Sequence, residues 1–181
     1  MKMKLRFSES EISYWADRYT ERQREKDQMK EQYLVDLKST VQKRGYLTKE
    51  DLHDIARWKS PRRANLTLEN TDDFIKDITK SAFTVTDDWA KLLILTLLQG
   101  VKEPTASAIL HLFDNGQYPL LDIHALWSVG LEWRTRASYP FWLEYIEFCR
   151  EIANRNNVSM RELDRALWKF SSDYSKTKRP R

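Results

Sequence analysis

Residues 97–110 read LLQGVKEPTASAIL. An apolar run stops at Gly100, and a second apolar-periodic run opens four residues later at Pro104. Proline suits the first turn of a helix, where its missing N–H removes no hydrogen bond. The chain of 181 residues holds only four glycines. One placed between two helical runs marks either a plain connection or a tight hairpin whose backbone approaches something closely.

Working outward from this hairpin, the pattern is helical throughout. Apolar residues recur at spacings of three and four, and no stretch alternates as a strand would. Towards the N-terminus, Thr86 opens the helix DDWAKLLILTLL, apolar all round and so expected to be the most buried. Before it, Thr71 starts a helix with Phe74, Ile75 and Ile78 on one face. Thr48 caps another carrying Leu52, Ile55 and Ala56, which ends at Ser60 because Pro61 disfavours helix at the residue before it. Further back, Tyr33, Leu34, Leu37 and Val41 share a face that Gly45 terminates. Residues 20–32, TERQREKDQMKEQ, carry eight charges and one apolar residue, Met29. They read as a solvated helix face or a mobile connection. Ser8 and Glu11 form a capping box before Ile12, Trp15 and Tyr19.

Towards the C-terminus, Ala106, Ile109, Leu110 and Phe113 form the buried stripe after Pro104. Asn115-Gly116 is a turn, Tyr118 to Leu121 is extended, and Asp122 is a good N-cap for the helix IHALWSV. Phe141, Tyr145, Phe148 and Ile152 mark a long helix. Ser159 and Glu162 cap a last one with Met160, Leu163, Leu167, Phe170 and Tyr174. The tail 176–181, KTKRPR, is basic.

Composition bounds the function. Charged residues make up 32% and aromatics 12%, too aromatic for a disordered chain. A chain this long buries roughly 70% of its unfolded surface, enough for its own core. The formal charge of +4 permits an anionic partner without demanding one. One cysteine, Cys149, excludes an internal disulfide and a cysteine-ligated zinc or iron–sulfur site, which suits a cytoplasmic setting. The start, MKMKLRFSES, has no apolar stretch of signal-peptide length, and Leu92–Leu98 is far short of a membrane span. His53, His111 and His124 show no metal-ligand spacing. No membrane contact and a monomer are expected.

A glycine turn leading into a helix presents backbone N–H groups that favour an anion such as phosphate. Gly100, Val101 and Lys102 would face it, with Thr105 at the helix start. From Gly100 to Asp122 is 22 residues. Over Leu98–Ala106 and Tyr118–His124 the chain resembles the helix-hairpin-helix (endonuclease III-like) DNA glycosylases. Their hairpin is similar to L-P-G-V-G-x-x-T-A, followed by a helix, an extended proline-containing segment and an aspartate. Ala106, Ser107 and Ala108 match the family's small residues, and PLLDIHA looks like the aspartate segment of its adenine- and thymine-type members. The resemblance covers roughly residues 86–130, with flanking helices over 8–83 and 138–175 of one domain, 1–175.

The resemblance implies an all-α bundle of two lobes with a cleft between them, DNA as partner, and Asp122 as the catalytic acid. It implies hydrolysis of the N-glycosidic bond of a damaged, mispaired or modified base, a phage-type base in a defence role being one option. Three departures stand out. Gln99 and Lys102 replace the family's proline and second glycine, and Pro104 stands where strand-cleaving members carry a lysine. A monofunctional enzyme is therefore expected, without an iron–sulfur cluster and with at most a monovalent cation at the hairpin. Lys59, Arg62 and Arg63 are candidate phosphate contacts. Trp58, Trp15 and Tyr14 are candidate walls for an extruded base. Any of these aromatics also suits a core, and Asp122 also suits a plain N-cap. A non-catalytic DNA-binding module and a helical protein-interaction scaffold fit the same residues. His124 is a candidate backbone contact or a satisfied structural histidine.

Overall fold

The computed structural model describes residues 3–115, 117–132 and 137–175. Within them the chain is all-α: nine α-helices and two 3-10 segments. Among the described residues, no helix is long and apolar enough to cross a membrane. The basic tail 176–181 and Gly116 of the Asn115-Gly116 turn lie outside the described residues.

A 3-10 turn, Glu9–Glu11, leads into α1, Ile12–Arg22. The Glu11 carboxylate accepts from the Ser8 amide at 2.9 Å, as a capping box requires. A break at Gln23 and Arg24 separates α1 from α2, Glu25–Arg44, which Gly45 ends in the left-handed conformation at φ 79°. α3, Lys49–Lys59, is capped by Thr48 and runs through Ser60 into a 3-10 segment, Pro61–Glu69. α4, Asp72–Thr84, and α5, Asp88–Leu95, follow. The turn then leads to α6, Glu103–Phe113. α7, Ile123–Ser128, starts at Asp122. α8, Tyr139–Arg155, and α9, Met160–Tyr174, complete the chain.

One expectation about burial changes. The most buried helix is α6, not α5. Leu93 and Leu97 of the apolar run around α5 face solvent, whereas eight of the eleven residues of α6 are buried. The small side chains of Ala106, Ser107 and Ala108, all fully buried, let neighbouring helices close on α6. The 20–32 segment is solvated as expected, exposed or half-buried at every position except Glu31. Its one apolar residue, Met29, is exposed, while Glu31 is buried. Glu31 is paired there with Arg161 and Arg165 of α9. Burial is tolerable for a carboxylate so paired and hydrogen-bonded.

α9 is the spine. α1 packs along it from one side and α7 from another. α1 meets it through a cluster of Trp15, Phe170 and Tyr174 in edge and tilted contacts. α3 packs against the segment 61–69 and α6. The ends of α1 and α3, the start of α7 and the middle of α9 thereby converge.

Candidate functional site

Asp122 lies at that convergence. Three anchors hold the extended segment before it. His111 Nδ1 is 2.7 Å from the Tyr118 carbonyl, the Tyr145 hydroxyl donates to the Leu120 carbonyl at 3.1 Å, and the Leu121 amide donates to the Ser107 hydroxyl at 2.9 Å. Oδ1 of Asp122 then accepts from the His124 amide at 2.8 Å, the N-cap bond. Oδ2 accepts from Lys59 Nζ at 2.8 Å.

The electrostatics follow from these contacts. Burial pushes the Asp122 carboxyl up, but the Lys59 charge, the Lys59 hydrogen bond and the His124 amide outweigh it. The group is held below the ordinary aspartate value and is ionised at neutral pH. Its side chain is 22% exposed, against 9% for Lys59, so the acid reaches solvent while its partner is covered.

The exposed side of Asp122 opens into a cavity of about 530 Å³, within the roughly 300–1,000 Å³ range of small-molecule sites. Trp58 and Lys59 line it from the end of α3, Tyr19 from α1, and Asp164, Trp168 and Lys169 from α9. Arg22, Gln23 and Arg24, at the break after α1, line it too. One face of Trp58 is covered by the Arg161 guanidinium at 5.3 Å. Trp168 meets Tyr19 edge-on at 5.4 Å and His124 at 5.3 Å. His124 Nδ1 is 3.0 Å from the Ser171 hydroxyl, a structural contact.

The hairpin is tied to this site through the segment 61–69. Gly100 has φ 82°, and a Cβ there would lie 2.9 Å from Thr67 Cγ2 and N and 3.1 Å from the Arg63 carbonyl oxygen. What its backbone approaches is thus the protein's own chain. Asn70 clamps the preceding residue, donating to the Gln99 carbonyl at 3.1 Å and accepting from the Gln99 amide at 2.9 Å. Val101 is buried and its amide donates to Leu98 at 3.1 Å. Thr105 is buried, with its hydroxyl 2.9 Å from that of Ser60. Of the four hairpin residues singled out, Lys102 alone has an exposed side chain. Arg62 and Arg63 are exposed beside the turn. The hairpin and the 61–69 segment packed against it thus each present exposed cations, Lys102 on one and Arg62 and Arg63 on the other.

Of the aromatics singled out, Trp58 borders the cavity, whereas Trp15 and Tyr14 do not. Trp15 is buried against Phe170 and Tyr174, and Tyr14 is exposed with its hydroxyl accepting from Arg18. The α1 aromatic at the cavity is Tyr19, one turn later. Sequence reasoning missed Tyr19, Asp164, Trp168 and Lys169. The signal for α9 was an acid and a tryptophan one turn apart, beside its apolar stripe. No protein-family model, curated protein or solved structure matches the chain.

Proposed function

We propose that the protein is a monofunctional DNA glycosylase of the helix-hairpin-helix type. The observation that carries this reading is Asp122: an ionised carboxylate on the wall of a base-sized cavity with Trp58 and Trp168. Breaking an N-glycosidic bond leaves positive charge on the sugar. A carboxylate close to that sugar stabilises the charge and orients the attacking water. Indole and phenol rings offer stacking surfaces for an extruded base of any sequence. Lys102, Arg62 and Arg63 supply exposed cations for phosphates. Lys59 lowers the Asp122 pKa and so favours the charged form that charge stabilisation requires. Two lobes and a monomeric state belong to the same proposal.

The test is base release. Labelled single- and double-stranded oligonucleotides, each with one damaged, mispaired or modified base, are incubated with the protein and then heated in alkali. The reading expects cleavage at the altered base only after alkali. Nicking without alkali would overturn the monofunctional assignment. An entire panel left intact would overturn the enzyme.

A second reading is a DNA-binding module without chemistry. It is favoured by the two structural bonds of Asp122, an N-cap and an ion pair, which use both carboxylate oxygens. It expects salt-dependent DNA binding that Asp122→Asn leaves intact, and no base release.

A further inference from the structure

The cavity holds a second carboxyl that the proposed reaction has not used. Asp164 lies in the middle of α9, is only 8% exposed, and lines the same cavity as Asp122. Among the described residues no hydrogen-bond donor contacts its carboxyl, and its one ion-pair neighbour, Arg161 Nη1, stands 3.8 Å away. Arg161 is itself engaged by Glu31. A nine-tenths buried carboxyl that lines a cavity and takes no hydrogen bond from the described residues leaves its polar capacity to a ligand's polar edge.

We propose that Asp164 is the general acid of this site, delivering a proton to a ring nitrogen of an uncharged nucleobase as its bond to the sugar breaks. This rests on the glycosylase reading and narrows it to a substrate class, bases that are neutral and carry an acceptor nitrogen. As the C1′–N bond breaks, its electron pair passes to the base, and the Asp164 proton neutralises the departing anion. Water adds its oxygen to C1′ with Asp122 stabilising the charge. The proton released from that water returns by solvent to Asp164. The sum is hydrolysis, with hydroxyl on the sugar and hydrogen on the base.

The surroundings suit the assignment. Burial raises the Asp164 carboxyl above the ordinary aspartate value. His111 of α6, Arg161 on α9 itself and Lys59 of α3 act against the rise, while the Asp122 charge adds to it. Tyr19 of α1, and Tyr145 and Cys149 of α8, also face Asp164. Two carboxyls in one cavity are pushed in opposite directions, one held charged and one towards its neutral form, which is the division a base and an acid need.

The experiment compares the wild-type protein with Asp164→Asn in single turnover. Two groups of oligonucleotide are used: neutral lesions such as hypoxanthine or 8-oxoguanine, and 7-methylguanine, whose ring is already cationic and needs no acid. Circular dichroism checks the fold. The proposal expects a loss of about 100-fold or more on neutral bases, the range of general acid catalysis, and less than about 10-fold on 7-methylguanine. An equal loss on both, no loss on neutral bases, or a wild-type protein that releases only the cationic base would overturn it. If the wild-type protein releases only neutral bases, the pH profile decides. Its rate must fall on the alkaline side, and Asp164→Asn must flatten that fall; a fall kept in the variant overturns the proposal. No base release by the wild-type protein removes the glycosylase reading and this proposal together. Release with an unmoved Asp164→Asn removes the acid alone.

Discussion

Lys59 Nζ stands 2.8 Å from Asp122 Oδ2, across 63 positions of sequence. The pair joins the last residue of α3 to the N-cap of α7. With Lys59 only 9% exposed, each charge is the main compensation for burying the other. Replacing Lys59 by Met leaves the Asp122 carboxylate with the His124 amide alone. Its pKa then rises, since the strongest of the groups holding it down is gone. If the ionised acid is what works, the acid limb of the pH–rate profile moves to higher pH in Lys59→Met. Thermal melts should show a loss on the order of 3 kcal/mol, the scale for breaking a covered ion pair from one side.

The glycines at 100 and 45 share a left-handed conformation but differ in surroundings. A Cβ at Gly45 meets nothing within 4 Å, whereas one at Gly100 collides with the Thr67 backbone. Gly45→Ala should cost about 1 kcal/mol, the left-handed penalty alone. Gly100→Ala should cost roughly 2–4 kcal/mol, since the segment 61–69 must also move. Chemical denaturation of the two variants measures the difference. In the oligonucleotide assay Gly100→Ala should also show reduced base release, because that segment leads from the cavity wall to the hairpin.

A buried pair away from the cavity gives a stability test with no bearing on chemistry. Lys91 of α5 donates to Asp114 at 2.5 Å, with both side chains nearly covered. Asp114→Ala strands the ammonium in the core and should destabilise by about 3–5 kcal/mol. Lys91→Met with Asp114→Leu removes both charges and should recover most of that loss, as read by denaturant midpoints.

Asp164 should make the opposite contribution to stability. Its carboxyl ionises in the unfolded chain near the ordinary aspartate value but at higher pH in the folded one. Between those two values the unfolded state has lost a proton that the folded state keeps, so stability falls as pH rises through that window and stays lower above it. Asp164→Asn cannot ionise. It should therefore melt higher than the wild-type protein at pH 8, with the gap closing as pH falls below the ordinary aspartate value. A site kept for chemistry at the expense of stability behaves this way.

Much of the fold was readable because helices announce themselves locally. Thr48, Thr71 and Ser159 cap as expected, each accepting from the amide three residues on. The Asp122 N-cap was readable for the same reason, and the Gly100 turn for its conformation. What Gly100 packs against was not, because Thr67 and Arg63 lie in a 3-10 segment whose sequence shows no periodicity beyond Pro61. The burial order of α5 and α6 was misjudged because apolarity measures what a helix can bury, not what covers it. Leu93 and Leu97 are as apolar as Leu92, yet neighbours cover only the latter. The cavity was only half visible. Trp58 and Lys59 drew notice beside Pro61, but Asp164 and Trp168 lie off the apolar stripe of α9 and carry no motif. Only the packing of α1, α3 and α7 around α9 turns that side into a wall.

The most direct measurement is single-turnover base release by Asp122→Asn on a substrate that the wild-type protein cleaves. The amide keeps an oxygen for the His124 N-cap bond, so circular dichroism should show the fold retained. The account predicts a loss of at least about 100-fold in release, with DNA binding held within a few-fold. Release at the wild-type rate by the folded variant would contradict it, and would leave Asp122 as the cap of α7 and the partner of Lys59 alone.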